Sequence, residues 1–428
     1  FGMDLVSSVL RIQGGSPLVG EVSVGGSKNA CLAVLASVPL VDGVITLTNL
    51  PEISDVAIKL ELLQGFGIRV ERDGDRVTLD TTGLRYFEPD ELHVRRIRTS
   101  FYLLGPLLAR FGKARLPMPG GCSIGDRPVD FHMKGLARLG ATVDLDSGHY
   151  TATGERLQGA EIHFDFPSAG ATQHMMATAC LVPGVTTIDN AAVEPEVLQL
   201  ADFLTACGAR LEGVGTSRIT VYGVERLHGA DYRIPEDRIQ VGTYLLAGAI
   251  TGGSVTCRDI LPDYQTALLT KLQEMGADVE EGNDYVTVGA SRRLRSVKVR
   301  TMPYPGFATD MQQPFAALLT LADGASQIEE TIYENRFGHV RELTRMGADV
   351  TNSGRTATFV GVERLSGAMV EASDLRAGAC LVLAGLAAQG TTHVHNVHFI
   401  DRGYENLEAN LRSLGASVER VMGEAPVG

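Results

Sequence analysis

The chain of 428 residues has no tryptophan, no CxxC pair and no apolar run long enough to span a bilayer. Its six cysteines are scattered, which favours reduced thiols over a disulfide framework or a zinc site. The 38 lysine and arginine residues are outnumbered by 51 aspartate and glutamate residues, and this balance argues against a nucleic-acid surface. Because the N-terminus lacks a basic region followed by an apolar stretch, we expect no signal peptide and a cytoplasmic protein.

What the sequence does contain is a repeat. A helix-end phrase followed by a short alternating strand occurs six times, and its key glycines are Gly67, Gly140, Gly208, Gly276, Gly347 and Gly415. A glycine just after an apolar helix predicts a helix C-cap. A second phrase, such as "LVPGVTTIDN", follows the same period: an alanine- and leucine-rich helix ends at glycine and a strand follows. Each repeat of about 70 residues is therefore predicted to hold two helices and two strands.

The number of repeats predicts the domain organisation. A chain of this length is too long for one ordinary core, so six repeats favour two α/β domains of three repeats each. The boundary is expected near "DYRIPEDRIQ", where a proline- and charge-rich stretch follows the third repeat. A solenoid of six stacked units is the alternative, although these repeats are long for a solenoid.

Polar or glycine-rich residues precede the first apolar helix of every repeat. Helix N-termini carry partial positive charge and bind anions. Lys28, Arg98 and Arg376 add cations at three of these ends in an otherwise acidic protein. The pattern predicts sites for anionic ligands, whereas ordinary solvated caps would explain any one of these ends alone.

The loop "GGCSIGDRPVD" (120–130) places Cys122 among glycines, five residues before Arg127. Loop glycines let backbone approach a ligand closely, and a nearby cation makes a thiol more acidic. We predict that this loop is a mobile lid over an anionic ligand. The simpler alternative is a turn that happens to carry a cysteine.

Taken together, these motifs resemble the UDP-N-acetylglucosamine 1-carboxyvinyltransferase family of enolpyruvyl transferases. The resemblance runs in matching order from about residue 10 to 420, and its main segments are "SKNACLAVLA", "IRTSFYLLGPLLARFG", "GGCSIGDRPVDFHMKGLARLGA", "YPGFATDMQQPF", "ETIYENRFGHVRELTRMGAD", "DLRAGACLVLAGL" and "HFIDRGYENLEANLRSLGA". It implies a two-domain inside-out α/β barrel, with three similar repeat units per domain, helices inside and sheets outside. Residues 28–235 would form the domain that carries the cysteine lid, residues 1–27 would join 236–428, and the active site would lie in the cleft between them.

The resemblance also implies a reaction. The enolpyruvyl group of phosphoenolpyruvate would move to the 3′-hydroxyl of UDP-N-acetylglucosamine through a tetrahedral intermediate, with release of phosphate, at the first committed step of peptidoglycan precursor synthesis. Two alternatives remain: another nucleotide acceptor such as UMP, or a catalytically idle relative that binds a UDP-sugar. Neither cofactor nor metal is implied, and His393 and His395 of "HVHNVH" are expected on an edge strand. The implied partners are the two small substrates, without nucleic acid or membrane, in a monomer or weak homo-oligomer.

The chemistry needs an acid and a base acting on opposite partners, and several cations for the anionic intermediate. The resemblance makes Asp310 the base for the hydroxyl and Cys122 the proton donor to the methylene, with Lys28 and Arg402 completing the catalytic set. The family would also be inhibited by fosfomycin, through attachment to Cys122.

The other implied roles divide into three sets. Phosphoenolpyruvate would be bound by Lys28, Arg98, Cys122, Arg127 and Arg402. The UDP-sugar would be bound by Asn29, Arg98, Arg127, Pro128, Val129, Asp130, His132, Ser168, Gly170, Asp310 and Ile332. Supporting roles fall to Glu194, Arg336, Asp374 and Arg376. The chain departs from the family pattern at Asp126, Phe166, Ala169 and Gly338, which leaves their effect on specificity open.

Overall fold

The structure is a computed structural model, and it describes residues 8–90, 98–117 and 129–423. The chain divides into two compact units. The first unit begins at Gly25 and ends at Pro235, and the second combines residues 8–24 with 236–423. Each unit buries a hydrophobic core of its own. Where the chain enters and leaves the first unit, the Ser27 amide donates to the Pro235 carbonyl (2.8 Å).

The α-helices of the described residues alternate between buried and amphipathic along the chain. They are α1 (Lys28–Ser37), α2 (Ser54–Gly65), α3 (Leu104–Phe111), α4 (Asp130–Arg138), α5 (Ala169–Ala179), α6 (Pro195–Ala206), α7 (Arg238–Ile250), α8 (Thr266–Glu274), α9 (Thr309–Leu319), α10 (Gly338–Arg345), α11 (Leu375–Ala387), α12 (His398–Asp401) and α13 (Leu407–Ser413). Short 3₁₀ helices span Val38–Leu40, Arg98–Leu103 and Pro262–Gln265. Within the described ranges, no helix combines the length and apolar character that crossing a bilayer requires.

The strands of the described residues are short. They are β1 (Ser8–Gln13), β2 (Val19–Ser23), β3 (Val41–Asp42), β4 (Val44–Thr48), β5 (Arg69–Asp73), β6 (Arg76–Asp80), β7 (Lys113–Pro117), β8 (Thr142–Asp146), β9 (His149–Thr153), β10 (Glu161–His163), β11 (Val185–Asp189), β12 (Arg210–Glu212), β13 (Arg218–Tyr222), β14 (Leu227–His228), β15 (Asp231–Arg233), β16 (Ser254–Arg258), β17 (Asp278–Glu281), β18 (Tyr285–Gly289), β19 (Lys298–Arg300), β20 (Ala325–Glu329), β21 (Asp349–Ser353), β22 (Thr356–Val360), β23 (Met369–Glu371), β24 (Thr391–His395) and β25 (Ser417–Met422).

The sheets repeat one pattern. In the second unit their orders are β23-β24-β1-β25, β17-β18-β16-β2 and β19-β20-β22-β21, and in the first unit β15-β4-β6-β5, β10-β11-β13-β12, β7-β9-β8 and β14-β3. Each four-stranded sheet has one parallel pair and two antiparallel pairs, as in β10, β11, β13 and β12. A helix such as α5 connects the two parallel strands, since a parallel pair needs a crossover.

The helices inside each unit are buried on all sides. In α7, every residue from Ile239 to Ile250 is buried, and α1, α5, α9 and α11 are buried along most of their length. A helix that is apolar all round belongs in a core. The strands instead alternate buried and exposed residues, as in β4, so the sheets form the outer layer. This architecture is the predicted α/β class, with helices inside and sheets outside.

The six repeat glycines confirm the helix-end prediction. Gly67, Gly140, Gly208, Gly276, Gly347 and Gly415 all have positive φ, from 79° to 104°, a conformation that favours glycine. The prediction of two strands per repeat was wrong, because most repeats contribute four. Three-residue strands such as β10 are too short to show alternation in sequence. The edge-strand assignment of His393 and His395 was also wrong, since β24 lies between β23 and β1.

Candidate active site

In the second unit, Asp310 lies in the first turn of α9 between two arginines. Its Oδ1 accepts a hydrogen bond from Arg336 Nη2 (2.9 Å), and its Oδ2 lies 3.6 Å from Arg376 Nη2. The two arginine side chains are 4% and 3% exposed, whereas Asp310 is 26% exposed. Two buried cations therefore stabilise one ionised, solvent-reachable carboxylate, which is the form that a general base requires.

Arg376 is held in place by its own helix terminus. Asp374 is the N-cap of α11, and its Oδ1 accepts hydrogen bonds from the amides of Arg376 (3.1 Å) and Ala377 (3.0 Å). The Arg376 guanidinium lies over the ring of Tyr404, 5.3 Å from its centroid. Burial disfavours its charge, but Tyr404 and Asp310 outweigh burial and raise the pKa of Arg376 above its ordinary value. Asp374 thus has a structural role as a cap, and Arg376 is a fixed cation.

Arg402 follows α12, two residues before Tyr404. It is half-buried. Burial lowers the pKa of the nearby His398 against the opposing effect of Asp401, and the positive charge of Arg402 lowers that pKa further. Arg402 is therefore a further cation, two residues in sequence from the Tyr404 ring on which the Arg376 guanidinium stacks.

Two backbone positions of this unit have defined contacts. The amide of Ile332 donates to Glu330 Oε2 (3.0 Å), so the predicted sugar-binding backbone is fixed by a buried carboxylate. Gly338 is the first residue of α10, and a Cβ there would lie 2.7 Å from Ser373 Oγ. A side chain at this departure from the family pattern would require the Ser373 hydroxyl to move.

In the first unit, Lys28 is the first residue of α1, and Asn29 follows in the same turn. Ser27 caps this helix by accepting a hydrogen bond from the Ala30 amide (3.2 Å). Lys28 Nζ lies 3.3 Å from Asp55 Oδ2, and the two side chains are 15% and 2% exposed. One helical turn beyond Asp55, burial lowers the pKa of Lys59 to about 7, against the opposing effect of Asp55. Lys28 is thus a partly exposed cation whose ion-pair partner, Asp55, is buried.

His132 lies in α4 and forms a buried pair with His174 of α5. The Gly105 amide donates to His174 Nε2 (2.8 Å), and the two histidine Nδ1 atoms are 2.9 Å apart. Because His174 Nε2 accepts, its proton is on Nδ1 and is donated to His132 Nδ1, which leaves the His132 proton on Nε2. Burial lowers the pKa of His174 to about 3, consistent with this neutral pair.

Tyr102 joins the histidine pair to the helix that carries Gly170. Its ring stacks on His132 at 5.3 Å between centroids and an interplanar angle of 19°. A Cβ at Gly170 would lie 2.1 Å from the Tyr102 hydroxyl, which explains why glycine is present there. Ser168 is the N-cap of α5 and accepts a hydrogen bond from the Ala171 amide (3.2 Å).

The remaining predicted positions of the first unit have simpler surroundings. Val129 and Asp130 begin α4, with Asp130 exposed. Ala169 is the first residue of α5, and Phe166 just before it is 38% exposed. Glu194 precedes α6, and its carbonyl accepts a hydrogen bond from the Val197 amide (3.0 Å).

Five of the predicted positions lie wholly or partly outside the described residues. Cys122, Asp126, Arg127 and Pro128 lie outside the described residues, and for Arg98 only the backbone, at the start of a 3₁₀ helix, is described. Their predicted roles stay predictions. Among the residues that the structure describes, no group of three or more histidine, cysteine, aspartate or glutamate side chains could hold a metal ion.

The structure adds partners that sequence reasoning missed. They are Asp55, Lys59, Tyr102, His174, Thr309, Glu330 and Tyr404. The spacing of Asp55 and Lys59 on one helix face is a signal that sequence could have given. The others are single polar or aromatic residues near apolar segments, where no charge pattern marks them.

Comparison with known proteins relates this geometry to a family. A family model described as EPSP synthase (3-phosphoshikimate 1-carboxyvinyltransferase) matches residues 12–411. The UDP-N-acetylglucosamine 1-carboxyvinyltransferase of Nitratidesulfovibrio vulgaris is 50% identical over 413 residues, which cover 96% of this chain and 99% of the relative. The protein of the same name from Escherichia fergusonii is 48% identical over 417 residues, covering 97% and 99%.

Solved structures give the same result for the fold. The enolpyruvyl transferase NikO from Streptomyces tendae has a TM-score of 0.88 at 28% identity, covering 97% of this chain and 99% of that one. An EPSP synthase from Acinetobacter baumannii, at 19% identity and a TM-score of 0.73, covers 97% and 100% and shares the fold. The chain therefore belongs to the enolpyruvyl transferase family, and its close relatives within that family are named UDP-N-acetylglucosamine 1-carboxyvinyltransferase.

Proposed function

We propose that the protein transfers the enolpyruvyl group of phosphoenolpyruvate to the 3′-hydroxyl of UDP-N-acetylglucosamine and releases phosphate, at the first committed step of peptidoglycan precursor synthesis. The observation that carries the proposal is the carboxylate of Asp310 between Arg336 and Arg376 in a chain whose relatives bear this name. The five described cysteines are free thiols, which fits a reducing compartment such as the cytoplasm.

Asp310 would take the proton of the attacking hydroxyl. Its carboxylate is held by two buried arginines and remains partly exposed, so a bound sugar hydroxyl has access to it. The hydroxyl oxygen then attacks the central carbon of phosphoenolpyruvate. Ile332, whose amide is fixed by Glu330, would orient the sugar next to this carboxylate.

Proton transfer to the methylene carbon makes that central carbon electrophilic. Cys122 would donate this proton, and the resulting thiolate would take a methyl proton back as phosphate leaves. The Lys28 ammonium, supported by Asp55, and the Arg402 guanidinium would stabilise the phosphate and carboxylate of the intermediate. Arg98 and Arg127 would add to this charge.

The UDP part of the substrate would be bound by the first unit. His132 lies in the buried pair with His174, and Ser168 and Gly170 lie at the N-terminus of a buried helix, where anions bind. Asn29, Pro128, Val129 and Asp130 would complete the contacts.

A phosphate-release assay tests the proposed function. The full chain is mixed with phosphoenolpyruvate and one acceptor: UDP-N-acetylglucosamine, UMP or shikimate 3-phosphate. We expect release with UDP-N-acetylglucosamine alone. Release with UMP instead would overturn the acceptor and keep the reaction class, and UDP-sugar binding without release from any acceptor would identify a catalytically idle relative.

A further inference from the structure

Glu330 is a buried carboxylate that accepts four hydrogen bonds. It is 0% exposed. Its Oε2 accepts from Thr301 Oγ1 (2.6 Å) and from the Ile332 amide (3.0 Å). Its Oε1 accepts from Thr309 Oγ1 (2.6 Å) and Gln312 Nε2 (3.4 Å). A buried charge costs free energy unless its acceptor sites are satisfied, and these four donors satisfy them.

The hydrogen bonds of Thr309 give this network a direction. The Thr309 hydroxyl has one proton, which it donates to Glu330, so its lone pairs are left to accept from Arg336 Nη1 (2.8 Å). Arg336 Nη2 then donates to Asp310 Oδ1 (2.9 Å). Gln312, which also contacts Glu330, donates to the Arg336 carbonyl (2.8 Å). Glu330 therefore constrains both ends of the arginine that holds Asp310.

Comparison among the repeats shows that four sister repeats lack a glutamate at the position of Glu330. The residue directly after the corresponding strand is Asn49, Asn190, Asp259 or Asn396 in four sister repeats, each with φ between 57° and 62°. The three asparagines each donate Nδ2 to a backbone carbonyl within the fold, at 2.8, 2.8 and 3.2 Å. Glu330 follows β20 at the same place. One of its oxygens also accepts from the residue after the parallel strand, Thr301, and the other accepts from two side chains of the helix that carries Asp310, those of Thr309 and Gln312.

We propose that Glu330 is a positioning residue, which acts through Thr309 and Arg336 to orient the Asp310 carboxylate for removal of the acceptor hydroxyl proton. The inference rests on the proposed function and goes beyond it by extending the base into a relay of four residues. Without the Thr309 hydroxyl, the Arg336 guanidinium loses one of its two side-chain hydrogen bonds. It still lies over the Tyr333 ring, a contact that allows the guanidinium to turn in its own plane, away from Asp310.

The test uses threonine variants of the full chain. Thr309→Val removes the hydroxyl and Thr309→Ser retains it. Thr320, buried at the opposite end of α9, supplies the matched control: Thr320→Val also removes a hydroxyl bond, to the Ala317 carbonyl (2.7 Å). Glu330→Gln keeps the shape of the side chain but replaces one carboxylate oxygen with an NH2 group. That group would face another N–H donor, either the Ile332 amide in place of Oε2 or Gln312 Nε2 in place of Oε1.

We expect Thr309→Val to lower kcat about 10- to 100-fold, as small displacements of a catalytic group do, with KM for phosphoenolpyruvate nearly unchanged. Thr309→Ser should restore most of kcat, and Thr320→Val should leave it unchanged. Glu330→Gln should lower kcat and also raise KM for the UDP-sugar, through Ile332.

The outcomes separate this inference from the proposed function. Two results with an active wild-type chain would refute the positioning role alone. In one, the kcat of Thr309→Val equals that of Thr320→Val; in the other, Thr309→Ser loses as much kcat as Thr309→Val. A wild-type chain that releases no phosphate with any acceptor would refute the proposed function and this role with it.

Discussion

Cysteine alkylation should separate Cys122 from the other thiols. The five described cysteines, Cys31, Cys180, Cys207, Cys257 and Cys380, are 0% exposed. Burial raises the pKa of the first four to about 12 and raises that of Cys380 as well. The thiolate is the reactive form, so burial protects these residues both by exclusion of the reagent and by loss of the reactive species.

The size of the effect follows from these values. At pH 8 a thiol of ordinary pKa, about 8.5, is roughly one quarter thiolate, whereas a thiol of pKa about 12 is about one part in 10⁴ thiolate. The ratio is roughly 2,000-fold before any allowance for restricted access, which widens it further. Cys122, in a glycine-rich loop near Arg127, is expected to react at least as fast as an ordinary thiol.

The assay is timed iodoacetamide labelling of the native chain at pH 8, with peptide mapping by mass spectrometry. We expect one modified peptide, containing Cys122, at early times and six modified cysteines in denaturant. Cys122→Ser should remove the early label and leave the denatured pattern with five. Early labelling of any other cysteine would refute the reasoning.

Three further predictions concern other residues. Asp310→Ala should lower kcat by about 10²–10⁴-fold, with a smaller loss of UDP-N-acetylglucosamine affinity by calorimetry, and an unchanged kcat would exclude it as the base. Fosfomycin should form a covalent adduct on Cys122, detected by mass spectrometry, and an adduct on another residue would contradict this. Cys122→Asp should abolish the adduct and keep some activity. That activity should be greater at lower pH, because a carboxyl group donates a proton only while it is protonated. For Lys59, burial lowers the folded-state pKa to about 7, so above pH 7 the unfolded chain binds a proton that the folded chain lacks. Between pH 7 and 9 the free energy of unfolding of the wild type, measured by urea unfolding, should therefore rise by about 2 kcal/mol relative to that of Lys59→Met. A difference between the two proteins that does not change with pH would contradict the lowered pKa of Lys59.

The parts of the fold that sequence could predict are those imposed by local backbone geometry. A glycine such as Gly67 or Gly415 is needed because the helix ends in a left-handed conformation, and that requirement recurs in each repeat. The three-residue strands β10 and β19 form only because a crossover helix returns the chain beside a longer strand. That pairing is tertiary, so no local pattern announces it.

The site shows the same division. The family motifs assigned Asp310 as the base and Arg336 and Arg376 as supporting residues, and the structure brings the three side chains together. Thr309 and His174 were not predicted as site residues. A polar residue in an apolar helix looks the same in sequence whether its side chain forms a hydrogen bond with the backbone of its own helix or with a partner in another element. Thr178, which donates to the His174 carbonyl of its own helix, is an example of the first kind.

Internal repeats offer a way past this limit. Where sister repeats agree, as Asn49, Asn190 and Asn396 do, the shared residue serves a contact that the fold needs every time. Where one repeat departs, the replacement residue must be stabilised by partners that are specific to its own repeat. Glu330 is such a departure, and two of its four donors, Thr309 and Gln312, lie in the helix that carries Asp310. In a six-repeat chain, a residue that departs from its sister repeats and contacts the site is therefore a candidate for a functional role that composition and charge do not reveal.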